Sequence, residues 1–380
     1  MTSLHLTEQQ ATCLRGFRAF ADRELVPRAA EFDASQAISQ DVVTALSDAG
    51  YLGSFVPREH GGLGLSMVEY GLLSEEIGRG CQSIRNFVAV QDMVIHSILS
   101  WGTADQRQRW LPAIMAGATC AAFALTESSA GSDASAVSTT ATAQGGDVLL
   151  RGDKQWISFA QIADLFLVLA RFEGKATAFL VERDAGGLEI EPLSGLLGLR
   201  GSMLGRITFD NCRIPATNMV GRPDMGLVFV ASSALDLGRY STAWGAVGLA
   251  QSCVTACVEY ANKRVQHGTE IGNHQLVQRM LADMATDCLA ARLLCHHAGV
   301  SKEQRDINAV HHTLMAKYRA STVATKTAAD AVQLHGANGI GSELALQRHY
   351  RDAKVLEIIE GTSQIQQTLL GQFVVEATGQ

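Results

Sequence analysis

The sequence predicts a mainly α-helical protein with a central β module. Apolar residues recur at helical spacing through the first 116 positions. From about residue 120 they gather instead into short β-branched or aromatic runs cut by turn formers. The helical period returns near residue 226 and persists to the end. These changes divide the 380 residues into an N-terminal helical domain (1–119), a middle β domain (120–225) and a C-terminal helical bundle (226–380).

Each element has its own warrant. "LTEQQATCLRGFRAFADREL" opens with Thr7 and Gln10 at the spacing of a capping box and runs on without a breaker. "SQDVVTALSDAG" ends at Gly50, the residue type that closes a helix in the left-handed conformation. After the glycine-rich "VPREHGGLGLS", helical patterns run from about Met67 to Ala116. In the middle, "DVLLRGDKQWIS", "DLFLVLARF", "TAFLVERD", "LEIEPL" and "GRITFDNCRIP" read as strands. Gly145-Gly146-Asp147 and Asp184-Ala185-Gly186-Gly187 are the turns between them. Ile207 and Phe209 alternate with Arg206 and Thr208, the period of a half-buried strand. In the last part, Val277, Met280, Leu281, Met284 and Cys288 form one helical stripe, and Val247, Val254, Val258 and Ala261 another. Long helices with short connections predict an antiparallel bundle.

Composition narrows the function. Apolar residues at 47% and charged residues at 18% describe an ordinary globular chain, and a net charge of −7 without a basic run argues against nucleic-acid binding. No apolar stretch reaches bilayer length, and the N-terminus "MTSLHLTEQQ" lacks the pattern of a signal or transit peptide. The eight cysteines form no CxxC pair, and Cys253 and Cys257 share a helix face as small hydrophobes; a reduced, cytoplasmic protein is expected. His296-His297 and His311-His312 are adjacent pairs without the i, i+4 spacing of metal ligands, so no metal is expected. GxGxxG, GxxxxGK[ST] and GxSxG are all absent, which argues against Rossmann, P-loop and serine-hydrolase chemistry.

"EIIEGTSQIQQ" (357–367) holds the one suggestive carboxylate, Glu360, beside two isoleucines and a glycine. It reads either as a solvated helix-end charge or as a base whose pKa is set by apolar walls. Four stretches bear on the choice: "FALTESSAGSD" (123–133), "KQWISFAQIADLFLVLAR" (154–171), "GLRGSMLGRITFDNCRIP" (198–215) and "YRDAKVLEIIEGTSQIQ" (350–366). In this order, over essentially the whole chain, they resemble the acyl-CoA dehydrogenase family. The resemblance implies an N-terminal helical domain, a middle β-barrel and a C-terminal four-helix bundle. It also implies FAD and the oxidation of an acyl thioester.

On that resemblance Glu360 is the base, and Gly361 lets the backbone approach the thioester. The base position used by relatives reading L-D-L-E-R is Gly238 here, in "LDLGR". Leu125, Thr126, Ser132, Trp156, Ile157 and Ser158 match flavin-holding positions, as do Thr362 and Gln364; the alternative for Trp156 is a place in the β-module core. Arg264, Gln275, Gln333 and Gly336 match residues that reach the FAD of a neighbouring subunit, which implies a homodimer or homotetramer. Asp236 and Arg239 match positions near the thioester arm, or else form a surface i, i+3 ion pair. Trp244, where fatty-acid-oxidising relatives carry alanine, would shrink the acyl pocket or face a neighbouring helix. The chain departs from the family pattern at His267, His335, Ala337 and Ile359.

The combination "AWGAVG", "HQLV" and "YRDAKVLEIIEG" is most similar to relatives that oxidise glyceryl- or hydroxyacyl groups tethered to acyl carrier proteins for polyketide extender units. The expected substrate is therefore a small acyl thioester on a carrier protein. The alternative is a short-chain acyl-CoA dehydrogenase of catabolism; a flavin monooxygenase-like or silent relative is disfavoured by the retained Glu360. The electron acceptor would be a partner such as an electron-transfer flavoprotein.

Overall fold

A computed structural model describes residues 6–378. Helices fill the first part: α1 (Glu8–Phe20), α2 (Ala29–Ser35), α3 (Gln40–Asp48), α4 (Met67–Gly80), α5 (Gln82–Trp101) and α6 (Ala104–Met115). The Thr7–Gln10 capping box is formed in both directions and starts α1. Gly50, with φ of 72°, closes α3 while its N–H donates to the Ser47 carbonyl. One turn of π-helix (Ala21–Leu25) continues α1, a deviation that residue pattern alone does not announce.

The β module contains β1 (Ala121–Ala124), β2 (Thr140–Gln144), β3 (Asp147–Ile157), β4 (Leu165–Phe172), β5 (Lys175–Glu182), β6 (Leu188–Pro192), β7 (Gly205–Pro215) and β8 (Met219–Val220). The ladder runs β6-β7-β3-β2-β4-β5-β8, with β1 paired in parallel to β4; β6 and β8 at its ends do not pair with each other among the described residues. Ile207 and Phe209 of β7 are buried and Arg206 and Thr208 exposed, as the period-2 pattern requires. One face packs Val168, Phe179, Ile207 and Ile214 together, while Leu165, Leu167 and Leu180 meet Val94, Ile95 and Ile98 of α5.

A π-helical turn (Gly226–Ala231) leads into α7 (Ser232–Ala261), followed by a small hairpin of β9 (Val265–Gln266) and β10 (Thr269–Glu270). Then come α8 (Gln275–Glu303), α9 (Ala309–His335), α10 (Ala337–Ile340), α11 (Leu346–Leu356) and α12 (Ser363–Thr378). α7 is the central rod, packed against α4, α5, α8, α9 and α11. Its glycines permit this. A Cβ at Gly248 would lie 2.0 Å from the Glu75 carbonyl, and one at Gly78 would lie 2.6 Å from Gly245 Cα. α4 and α7 therefore touch backbone to backbone, which fixes them as one tightly packed unit.

Candidate active site

A cavity of about 370 Å³ opens where α5, α7, the β module and the α11–α12 connection meet. The β module supplies Phe123, Leu125, Thr126, Gly131, Ser132, Ala134 and the end of β3, Trp156 to Ser158. α5 supplies Asn86, Val90 and Met93, and α7 supplies Leu235 and Arg239. Residues 358–362 and Ile365 complete the wall. No helix or strand alone could build this site; four segments far apart in sequence converge on it.

Glu360 sits on a turn held open by its backbone. It has φ of 57° and Gly361 has φ of 91°, a left-handed pair that only the glycine adopts without strain. Three side chains lock the turn. Arg239 Nε donates to the Glu360 carbonyl at 2.9 Å, while Lys317 Nζ and Gln366 Nε2 each donate to the Gly361 carbonyl at 2.8 Å. Lys317 is fully buried, and that burial pulls its pKa down to about 7. The Thr362 hydroxyl accepts from the Ile365 N–H and caps the first turn of α12.

The carboxylate itself is left free. Glu360 Oε2 has no hydrogen-bond partner among the described residues. Burial pushes its pKa above the ordinary carboxylate value, against the opposing pull of Arg239, Arg85 and Lys317. Its room comes from α7: a Cβ at Gly238 would stand 2.6 Å from Oε2 and 2.8 Å from Met93 Sδ. The glycine of "LDLGR" is thus a steric necessity for Glu360 in this position. Gly238→Ala is expected to displace the carboxylate and lower kcat/KM by about 10²-fold, with flavin content unchanged; steady-state kinetics beside a flavin absorbance spectrum check it.

Across the cavity, Ser158 accepts from Asn86 Nδ2 at 3.2 Å, and the same amide donates to Ser202 at 3.1 Å, tying α5 to β3. Trp156 has φ of 60° and is 54% exposed, so it is not β-module core; it lines the cavity. The loop from Leu125 to Thr139 is held by a buried ion pair. Lys154 Nζ donates to Glu127 at 2.8 Å and to the Leu125 carbonyl at 3.0 Å. Glu127 also accepts from Ser138 and from the Thr139 N–H. Burial works to raise Glu127, but these hydrogen bonds overcome it and hold its pKa at about 2.

Family models match all three parts of the chain. They match as the acyl-CoA dehydrogenase N-terminal domain over residues 7–118, the middle domain over 122–212 and the C-terminal domain over 225–375. The chain belongs to the acyl-CoA dehydrogenase family. The human mitochondrial short-chain specific acyl-CoA dehydrogenase is 37% identical over 381 residues, covering 99% of this chain and 92% of that one. Among solved structures, the prolyl acyl carrier protein oxidase AnaB is 26% identical with a TM-score of 0.93, covering 97% of this chain and 99% of its own. FkbI, described as serving biosynthesis of a methoxymalonyl extender unit of the polyketide Fk520, is 32% identical with a TM-score of 0.87 and the same coverages.

Acyl-CoA dehydrogenases use FAD. The cavity's donor set fits that group: Thr126, Ser132, Ser158 and Thr362 place hydroxyls around an apolar shelf of Leu125, Trp156 and Ile157, which suits a planar ring with polar edges. The residues that the resemblance selects do not all come to this wall. Gln364 is exposed on the first turn of α12. Asp236 and Arg239 are not an i, i+3 pair, because Asp236 pairs with Lys302 of α8 and Arg239 turns to the Glu360 carbonyl. Trp244 is fully buried, outside the cavity's lining, and faces the neighbouring α4, where a Cβ at Gly71 would lie 2.3 Å from its indole nitrogen.

Arg264, Gln333 and Gly336 gather in a separate cleft with Tyr260, His335 and Ala337. Gln275, the first residue of α8, is exposed and outside that cleft's lining. His335 stacks on Tyr260 with ring centroids 4.2 Å apart, and His267 meets His274 edge-on at 6.3 Å. Sequence reasoning missed Arg85, Asn86, Lys317 and the Glu127–Lys154 pair. A lysine in the otherwise strand-like "DVLLRGDKQWIS" was the only available signal for the last.

Proposed function

We propose that this acyl-CoA dehydrogenase oxidises a small acyl thioester presented on an acyl carrier protein, with Glu360 as base. The observation that supports it most is the unpaired Glu360 carboxylate on the cavity wall opposite the flavin-holding residues. Glu360 takes the proton from the carbon next to the thioester carbonyl, and Arg239, Lys317 and Gln366 hold its turn still while it does so. The Glu360 N–H makes no bond to a described residue, which leaves it free to donate to the thioester carbonyl as enolate charge develops. FAD held by Leu125, Thr126, Ser132, Trp156, Ile157, Ser158 and Thr362 supplies the hydride acceptor. An electron-transfer flavoprotein is the proposed acceptor of the electrons.

Substrate size is argued from Trp244. Its indole fills the α4–α7 seam beside Gly71, and on this reading that seam is closed to a longer acyl chain. The likeness to AnaB supports a carrier-protein substrate and that to FkbI an extender-unit role, whereas the human relative supports a short-chain CoA thioester. The cleft of Arg264, Gln333 and Gly336 shares no lining with the Glu360 cavity, which suits residues serving the FAD of a second subunit in a homo-oligomer. Anaerobic mixing with matched short acyl groups, offered on CoA and on a phosphopantetheinylated carrier protein, tests the reading. Flavin bleaching only by the carrier-bound set is the expected result. Equal or faster bleaching by butyryl-CoA would make this a catabolic short-chain enzyme instead.

A further inference from the structure

Lys317 of α9 is fully buried, and its ammonium makes one hydrogen bond among the described residues, to the Gly361 carbonyl at 2.8 Å. Gln366 Nε2 donates to the same oxygen at the same distance, and Gln366 is buried as deeply. A neutral donor thus already holds the turn at Gly361, so holding it does not require a charge. Burying an ammonium is costly unless an opposite charge offsets the lost hydration. The charge on Lys317 therefore has a second role, and its neighbours show which.

Burial works against the charge on Lys317, and among its charged neighbours Glu360 does most to sustain it. Glu357 at the end of α11 helps, while Arg239 of α7 and Arg85 of α5 oppose it. α12 brings only Glu376, at its far end, and Asp287 of α8 is taken up by Arg319 and Lys326 on the outer side of α9. Around Glu360 the burial that disfavours its charge is opposed by Arg239, Arg85 and Lys317. The two arginines have structural contacts of their own, Arg239 Nε with the Glu360 carbonyl and Arg85 Nη1 with Thr242 at 3.0 Å. Lys317 is the cation whose hydrogen bond Gln366 duplicates, which leaves electrostatics as its separate contribution.

Resting on the reading of Glu360 as base, we propose that Lys317 is a positioning residue that acts through its charge. It keeps the Glu360 carboxylate ionised and so sets the lower end of the pH range in which the enzyme turns over. The hydrogen bond to Gly361 is shared with Gln366; the charge is not. Lys317 lies outside the cavity's lining and acts on the chemistry only through Glu360.

The test follows anaerobic flavin bleaching across pH with FAD-loaded enzyme and butyryl-pantetheine, whose arm is common to CoA and carrier proteins. In the parent the rate should rise with pH through one ionisation, that of Glu360. Lys317→Met is expected to carry this limb to higher pH by about one unit, because a carboxylate that loses a nearby cation holds its proton more tightly. Lys317→Arg should bring the limb back toward the parent's, since the guanidinium keeps the charge. Gln366→Met removes the matching neutral hydrogen bond; it should slow bleaching and leave the limb where it was. A limb unmoved by Lys317→Met, or moved as far by Gln366→Met, overturns the assignment while leaving Glu360 as base. A Lys317→Met protein that is slower by one factor at every pH, or that no longer holds flavin, would show a structural lysine and also overturn it. A limb that persists in Glu360→Gln removes the base reading, and no bleaching of the parent at any pH removes the thioester reading; the assignment falls with either.

Discussion

Replacing Glu360 with glutamine is expected to lower turnover by about 10³-fold while FAD remains bound, because the amide keeps the shape of the base and cannot take a proton. The same variant should melt no lower than the parent at neutral pH. The carboxylate's pKa is raised by burial, so its charged form is disfavoured in the folded state. The sign follows from linkage: stability is lost as pH rises from the ordinary carboxylate value through the raised folded one, and glutamine removes that loss. For the parent enzyme, kcat should climb with pH through a group titrating above the usual carboxylate range, and this limb should vanish from the residual activity of the variant. A pH–rate profile for both proteins, with melting curves at neutral pH, decides the matter. An unchanged kcat would remove Glu360 from the chemistry.

Lys154→Met is the second large effect, and it is one of stability. The substitution strands Glu127 fully buried beside the Leu125 carbonyl, and breaking a buried pair from one side costs about 3–5 kcal/mol. The loop that carries Thr126 and Ser132 is anchored by this pair, so flavin content should fall together with the melting temperature. Lys154→Met combined with Glu127→Leu should recover part of the loss, since no unpaired charge then remains. Recovery cannot be full, because Ser138 and the Thr139 N–H lose their acceptor. Thermal melts with flavin absorbance for the single and double variants check both statements. Equal stability of the single variant and the parent would mean that the pair contributes nothing.

Much of the fold was legible because it follows from local rules. The Thr7–Gln10 box, the Gly50 stop and the five long strand runs all appear where residue pattern places them. β1 and β2 escaped because "AAFA" and "TATAQ" are short and built of small residues; pairing with β4 and β3 makes them strands, and pattern does not see pairing. The site was legible only through motif resemblance. That route brought Glu360, Arg239, Trp156 and Ser158 to one cavity, yet passed over Arg85, Lys154 and Lys317. A lysine or arginine in a sequence reads as surface charge, and its burial is decided by helices that meet it from far along the chain. The i, i+3 pairing of Asp236 with Arg239 failed for the same reason, since its actual partner Lys302 lies 66 residues away.

The fit between Gly238 and Glu360 also bears on how such an enzyme could change over time. The space that holds the Glu360 carboxylate can be entered from α7 or from the turn after α11, and a side chain at position 238 would displace Glu360 from it. A lineage that shifts its base between these two origins cannot pass through a protein with both carboxylates seated. The two positions therefore behave as one inherited character with two spellings, and neither can be interpreted without the other.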